Sequence, residues 1–183
     1  QTHDAMGKTL LIIGLGRIGR ALAARAQAFD MKVIAYDTYV PAEAGAKIGV
    51  EMYTDLHTAL AQADFVSLHT PLTPETKGMF STAEFEAMKD SAYFINCGRG
   101  PVADEAAMVE ALKNKKIAGA GLDCLEKEPP ELDNPLFQFD NVMFTPHIGG
   151  NTIEASMRCS EILANTVLKA LDGEETYNWV NRF

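Results

Sequence analysis

A glycine-rich hexapeptide near the start of the sequence has the residue types and spacing of a dinucleotide-binding turn. Gly14-Leu-Gly-Arg-Ile-Gly19 follows a short apolar run and precedes a segment of helical period. Gly14 can form the tight turn, Gly16 lets the backbone approach a pyrophosphate, and Gly19 allows close helix–strand packing. Arg17 precedes the predicted helix and Ile18 begins it, and the free N–H groups and positive dipole end of that helix favour phosphate. The hexapeptide is therefore predicted to contact the pyrophosphate of a dinucleotide.

An acidic residue, Asp37, ends the next apolar run. It lies close to the spacing of about 20 residues at which a carboxylate accepts hydrogen bonds from the adenosine ribose. A carboxylate at that point repels a 2′-phosphate, so the sequence favours NAD over NADP as the cofactor. The remaining alternative is a glycine turn followed by an unrelated loop Asp.

The elements that would hold these residues alternate between short apolar runs and segments of helical period. That alternation predicts an α/β fold of the Rossmann type: one domain over residues 1–183, with a doubly wound, mostly parallel sheet and helices on both faces. Strands are predicted at 9–13, 32–36, 50–53, 65–68, 92–96, 117–122 and 142–145, and helices at 18–29, 42–48, 55–61, 81–88, 104–114 and 151–172. The tail, residues 174–183, has no predicted partner within the chain.

Composition limits the kinds of partner that the chain can have. The formal net charge is −9 with no basic run, which argues against nucleic acid and anionic membrane surfaces. No apolar run approaches the roughly 18 residues of a membrane span, and no signal peptide is evident, so a soluble, cytoplasmic protein is predicted. Cys97, Cys124 and Cys159 are widely spaced and odd in number, which favours buried, reduced thiols over disulfides or a metal site.

Four further segments follow the glycine turn in a fixed order. They are His-Thr-Pro-Leu-Thr-Pro-Glu-Thr at 69–76, Asn-Cys-Gly-Arg-Gly at 96–100 with Asp104 and Glu105 behind it, Gly-Leu-Asp-Cys-Leu-Glu-Lys-Glu-Pro at 121–129, and Thr-Pro-His-Ile-Gly-Gly at 145–150. With them the chain resembles, nearly end to end, the NAD-binding domain of the D-isomer-specific 2-hydroxyacid dehydrogenases. The family's preceding substrate domain has no counterpart in these residues, and only residues 178–183 hint at the return to it.

The resemblance implies three catalytic positions in a hydride transfer at C2 of a D-2-hydroxy acid or its 2-oxo acid. Arg99 presents a planar cation that can bind the substrate carboxylate bidentately. His147 is implied to be the general acid/base, since histidine titrates near neutral pH. Glu128 would lie beside His147, fix its tautomer and stabilise the imidazolium. Formate-oxidising members of the family carry an amide at this point, so Glu128 argues against formate.

The resemblance also implies the cofactor contacts beyond the turn and Asp37. They are Thr70, Cys97, Gly98, Arg99, Asp123, His147, Gly149 and Gly150, with Asp123 facing the nicotinamide at the end of its strand. His69 is interpreted as structural. A homodimer through the nucleotide domain is expected, and no metal. Two alternatives remain: an NAD(H)-sensing protein of the C-terminal-binding corepressor type, and a cofactor-binding module without activity.

Overall fold

The computed structural model describes residues 4–176, and its centre is a seven-stranded sheet in which every neighbouring pair is parallel. The strands are β1 (Thr9–Ile13), β2 (Lys32–Tyr36), β3 (Glu51–Tyr53), β4 (Phe65–Leu68), β5 (Tyr93–Asn96), β6 (Gly119–Leu122) and β7 (Val142–Phe144). Their order in the sheet is β3-β2-β1-β4-β5-β6-β7. The order reverses direction between β1 and β4, which makes the sheet doubly wound and is the point where such sheets bind ligands.

Six α-helices connect or follow the strands. They are α1 (Arg17–Ala28), α2 (Ala42–Ala46), α3 (Leu56–Leu60), α4 (Thr82–Ala87), α5 (Glu105–Lys113) and α6 (Ile153–Leu171). The chain divides into two compact units, Gln1–Pro146 and His147–Phe183. The sheet and the first five helices belong to the first unit, and α6 belongs to the second.

Two hydrophobic clusters cover opposite faces of the sheet in the first unit. Successive residues of a strand point to opposite faces, and β1 sends Leu11 and Ile13 into the larger cluster and Leu10 and Ile12 into the smaller one. The larger cluster contains residues of α3, α4 and α5, while the smaller one contains residues of α1. Four of the five side chains of β1 are buried, as expected for the central strand of a parallel sheet.

The smaller cluster ends near β4, so the same face is more exposed farther along the sheet. Phe94 of β5 points into the larger cluster, whereas its neighbour Tyr93 is 42% exposed. Met143 of β7, on the same face as Tyr93, is 73% exposed. Within the first unit, the sheet is thus covered on both faces at β1 and on one face at β7.

The predicted strands and helices are all present, and their ends differ from the predicted ones by at most two residues. The sheet is wholly parallel where a mostly parallel one was predicted. Two 3-10 helices, Gly100–Val102 and Pro135–Gln138, lie in segments predicted as loops. Residues 177–183 of the predicted tail lie outside the described residues. No helix among residues 4–176 is long and apolar enough to cross a membrane.

Candidate cofactor and catalytic site

The glycine turn is built as the sequence predicts. Gly14 has φ +96°, and a Cβ there would lie 3.0 Å from the carbonyl carbon of His69. A Cβ at Gly19 would lie 2.3 Å from the carbonyl oxygen of Gly14. A Cβ at Gly16, by contrast, would meet no protein atom within 4 Å. Packing within the chain therefore requires glycine at positions 14 and 19. Gly16 is not required by packing and leaves open space in front of the turn, where a ligand could approach the backbone.

The N-terminus of α1 directs free N–H groups into that space. Gly16 is its N-cap residue, and no side chain caps the helix. Arg17 and Ile18 in the first turn are exposed. The Arg20 side chain donates to the carbonyl oxygen of Leu15 at 3.1 Å and so links the helix to the turn. An uncapped helix start of this kind is suited to phosphate.

Asp37 follows β2 and is half-buried beside the turn. Its Oδ2 accepts the backbone N–H of Leu15 at 2.8 Å, and its Oδ1 accepts those of Tyr39 and Val40 at 2.8 and 3.1 Å. The carboxylate thus joins the end of β2 to the glycine turn. Oδ1 already accepts two N–H groups, whereas Oδ2 accepts one and keeps lone-pair capacity for a hydroxyl donor.

A cavity of about 440 Å³ opens beside Asp37 in the first unit. Most of its lining follows the carboxyl ends of β1, β2 and β4, the strands around the reversal of sheet order. The lining residues are Ile13, Gly14, Tyr36, Asp37, Thr38, Tyr39, Leu56, His69, Thr70, Pro71, Thr73, Glu75, Thr76 and Met79. The volume and the mixed polar and apolar lining suit a nucleoside-sized group.

Two buried polar atoms in this lining have no hydrogen-bond partner within the protein: Thr70 Oγ1 and His69 Nδ1. Buried polar atoms are normally satisfied, so an unsatisfied pair in a cavity wall is what a polar ligand would complete. The other ring nitrogen of His69 lies 2.9 Å from Ser67 Oγ. Burial lowers the pKa of His69, which keeps the ring neutral. With the turn and Asp37, these atoms fit a dinucleotide.

The loop after β5 carries Arg99 and is shaped by Asn96, which is 1% exposed. Asn96 Oδ1 accepts the backbone N–H of Gly98 at 3.0 Å, and its Nδ2 donates to the carbonyl oxygen of Arg99 at 3.2 Å. The Arg99 side chain is exposed, and its Nη1 donates to the carbonyl oxygen of Gly98 at 2.8 Å. Asn96 thus fixes the backbone and leaves the guanidinium accessible. The sequence offered no signal for this role except the position of Asn96 at a strand end.

The Arg99 loop packs tightly on the segment that carries Glu128. A Cβ at Gly100 would lie 1.9 Å from the carbonyl oxygen of Leu125, so only glycine fits there. The backbone N–H of Leu125 donates to Glu128 Oε1 at 3.1 Å, and the Glu128 side chain is exposed. The structure therefore places two of the three predicted catalytic residues on adjoining segments of the first unit.

Asp123 follows β6, the strand next to β5, and is 7% exposed. Thr145, directly after β7, donates its hydroxyl to Asp123 Oδ1. The carboxyl ends of β6 and β7 are thus joined at the same edge of the sheet as the glycine turn and Arg99.

Cysteine burial differs from the prediction. All three thiols are free, but Cys97 and Cys159 are exposed and only Cys124 is buried. Cys97 lies in the loop after β5, and Cys159 lies on α6, where no described residue is buried. Burial raises the pKa of Cys124 to about 12 and, to a lesser extent, that of Cys97, beside which Asp123 adds a like charge. Spacing alone cannot distinguish a loop cysteine from a core cysteine.

His147 begins the second unit and is exposed, with φ +54°. Residues other than glycine seldom adopt this backbone region, and such outliers concentrate at functional sites. Gly149 and Gly150 are exposed just before α6, whose N-cap Thr152 accepts the backbone N–H of Ala155. The predicted histidine motif is therefore an exposed turn that leads into a capped helix.

Comparison with known proteins identifies the family. Residues 1–149 match the family model described as "D-isomer specific 2-hydroxyacid dehydrogenase, NAD binding domain". The chain belongs to this family. The matched part of the family is its NAD-binding domain, so NAD is the cofactor.

Curated relatives and solved structures agree with this assignment. The D-3-phosphoglycerate dehydrogenase of Methanocaldococcus jannaschii is 47% identical over 97% of the chain and 34% of its own length. The glyoxylate reductase of Thermococcus litoralis is 47% identical over 98% of the chain and 54% of its own length. The NAD-complexed D-isomer specific 2-hydroxyacid dehydrogenase of Lactobacillus delbrueckii ssp. bulgaricus has a TM-score of 0.89 at 35% identity, covering 99% of this chain and 58% of that one. The chain thus spans between a third and three-fifths of these relatives.

Proposed function

We propose that the chain is the cofactor-binding part of an NAD-dependent dehydrogenase that acts on small D-2-hydroxy acids or the corresponding 2-oxo acids. The observation that carries the proposal is the cavity at the reversal of strand order. There an open glycine turn, the Asp37 carboxylate and two unsatisfied polar atoms of His69 and Thr70 lie together. The family match and the dehydrogenase and reductase names of the relatives support the same reaction class.

In this proposal, different residues of the chain bind the substrate and transfer the proton around C2 of the substrate. Bound NAD supplies the nicotinamide carbon that accepts or returns the hydride. Arg99 holds the substrate carboxylate through its planar pair of donors, and its exposed side chain on a fixed loop backbone supports that role. Thr70, Cys97, Gly98, Asp123, Gly149 and Gly150 remain predicted cofactor contacts.

His147 is proposed to take the 2-hydroxyl proton during oxidation and to return it to the carbonyl oxygen during reduction. Glu128 is proposed to stabilise the protonated form of His147 and to set its tautomer. The support is the family motif around each residue and the accessible side chain of each. The homodimer and the cytoplasmic location expected from the sequence stay predictions. The corepressor alternative finds no support among the relatives, which are named as enzymes.

A substrate panel tests the proposal on the full-length protein. NADH consumption is measured with glyoxylate, pyruvate, hydroxypyruvate and phosphohydroxypyruvate, and the product is resolved by chiral chromatography. We expect turnover of at least one 2-oxo acid to the D-2-hydroxy acid. NADH binding by calorimetry without turnover of any 2-oxo acid would contradict the dehydrogenase and favour a sensing role.

A further inference from the structure

We infer that Glu105 is a positioning residue that holds the Glu128 segment against the Arg99 loop. Glu105 is the first residue of α5, directly after the N-cap Asp104, and its side chain is half-buried. Its Oε2 accepts the backbone N–H of Glu126 at 3.0 Å, and its Oε1 accepts Nδ2 of Asn134 at 2.6 Å. One carboxylate therefore holds both ends of the segment 126–134, which contains Glu128.

Both the amide nitrogen and the amide oxygen of the Asn134 side chain form hydrogen bonds. Its Oδ1 accepts the backbone N–H of Leu136 at 2.9 Å and caps the 3-10 helix Pro135–Gln138. Leu136 is fully buried in the larger hydrophobic cluster. Asn134 thus connects Glu105 to the core and cannot turn its amide over without leaving the Leu136 N–H without its acceptor.

The Glu105 carboxylate also links the segment that carries Arg99 to the segment that carries Glu128. Arg99 leads through the 3-10 helix Gly100–Val102 into α5, so Glu105 belongs to the chain segment that carries the arginine. Gly100 packs on the Leu125 backbone at one end of this contact, and Glu105 binds Glu126 beside it. These contacts therefore hold the backbone that follows Arg99 against the backbone that precedes Glu128. This inference rests on the proposed role of Glu128.

An acidic residue in the first turn of a helix also has a simpler effect, because it interacts favourably with the helix dipole. The two explanations differ in what can replace Glu105. A dipole effect needs only negative charge near the N-terminus of α5. Positioning needs an oxygen at residue 105 that accepts the Glu126 N–H, together with a hydrogen bond between residues 105 and 134. In that second bond, either residue can be the donor.

The test exchanges donor and acceptor in the hydrogen bond between residues 105 and 134 of the full-length enzyme. In Glu105→Gln, the new amide group faces a donor, either the Glu126 N–H or the Asn134 amide. Adding Asn134→Asp restores both bonds, since the new carboxylate accepts from the amide and still accepts the Leu136 N–H. Glu110→Gln is the matched control, because Glu110 lies on the same helix and pairs only with Lys113 among the described contacts.

We expect Glu105→Gln to lower kcat roughly 10- to 100-fold, as expected for a misplaced group, with an unchanged Kd for NADH. The acid limb of the oxidation pH profile should shift in the same direction as in Glu128→Gln. Trypsin cleavage after Lys127, followed by mass spectrometry, should accelerate in the single variant. The double variant should recover both kcat and protection, and Glu110→Gln should match the wild type.

The outcomes separate the inference from the function on which it rests. If Glu128→Gln alters kcat and the pH profile while Glu105→Gln does not, the positioning role is wrong and the proposed function stands. If Glu128→Gln itself has no effect, the proposed role of Glu128 fails. In that case, the cleavage rates still test whether Glu105 holds the segment. Faster cleavage after Lys127 in Glu105→Gln, reversed in the double variant, would show that it does. A double variant that behaves like Glu105→Gln would overturn the inference in favour of the dipole effect.

Discussion

At the scale of single residues, the structure gives Asp37 a role in the backbone that its predicted role at the ribose did not include. It was predicted as a ribose acceptor, and the structure adds three backbone N–H groups that its carboxylate already binds. Removing it should therefore weaken the glycine turn as well as cofactor discrimination. We expect the charge of Asp37 to determine which dinucleotide binds and its hydrogen bonds to determine how well the turn is formed.

We predict that Asp37→Ala weakens NADH binding and narrows the preference for NADH over NADPH, because like-charge repulsion with a 2′-phosphate is lost. Calorimetric titration with both cofactors measures the two effects. Asp55→Ala is the matched control, since Asp55 also accepts backbone and hydroxyl donors at a loop end but lies outside the cavity lining. An undiminished preference in Asp37→Ala would remove Asp37 from the ribose role.

Glu128→Gln should move the acid limb of the oxidation rate to lower pH in the full-length enzyme. In the proposed pairing the Glu128 carboxylate stabilises protonated His147, so we expect its loss to let the ring act as a base at lower pH. We expect kcat to fall as well, by less than the roughly 10²–10⁴-fold expected for His147→Ala. Rate profiles of the wild type and both variants measure this, and an unmoved acid limb would contradict the pairing.

His69 should make stability pH-dependent near neutrality. Burial lowers its pKa in the folded chain, so below the ordinary value of about 6.5 the unfolded chain binds a proton that the folded ring does not. The free energy of unfolding should therefore fall as pH decreases from 7.5 to 5.5. Denaturant titrations of the wild type and His69→Gln test this, and equal pH slopes in the two proteins would show that His69 is not responsible.

At the scale of elements, caps and buried strands were the most predictable features. Asp55 caps α3 by accepting the Thr58 N–H, and Ser81 with Glu84 forms a capping box at the start of α4. These signals are local, because the residues that interact are three apart in sequence. The apolar runs of the buried strands are equally local.

The contacts that shape the catalytic loops could not be predicted in the same way. Glu105 binds Asn134 across 29 residues, and Gly100 packs on Leu125 across a similar interval. No local pattern specifies which distant backbone approaches a given glycine or carboxylate. The two 3-10 helices follow from such contacts, and the exposure of Cys97 likewise depends on how its loop is held.

We predict that Asp104→Ala destabilises the chain by about 1 kcal/mol, because α5 loses the cap that accepts the Ala107 N–H. Thermal unfolding should shift downward by roughly 2–4 °C in a chain of this size. Asp90→Ala serves as the control: Asp90 is an exposed partner of Lys116, and such pairs contribute little. Equal shifts in the two variants would show that the cap is not the cause.

At the scale of the whole molecule, the chain holds the complete glycine turn, Asp37 and the cavity beside it within one unit. We predict that the 183-residue chain made alone folds and binds NADH but reduces no 2-oxo acid at a useful rate. In a two-lobed dehydrogenase, a second lobe closes over the site and positions the substrate, which can lower the barrier by several kcal/mol.

Calorimetry with NADH and the 2-oxo acid panel, run beside the full-length enzyme, measure both halves of that prediction. Turnover by the isolated chain at the full-length rate would mean that the substrate site lies within these residues. A folded chain that does not bind NADH would contradict the assignment of the glycine turn.

The position of β1 in the sheet has a consequence for the order in which parts of the molecule open. Backbone groups of β1 are bonded to a strand on either side, and its side chains are buried on both faces. β7 is a three-residue edge strand with an exposed face. Local opening begins where buried contacts are fewest, so it should start at β7 and reach β1 last. Gly14 follows the strand that opens last, whereas the Asp123–Thr145 pair depends on the strand that opens first. A partly opened molecule should therefore keep its glycine turn after the hydrogen bond between the ends of β6 and β7 is lost.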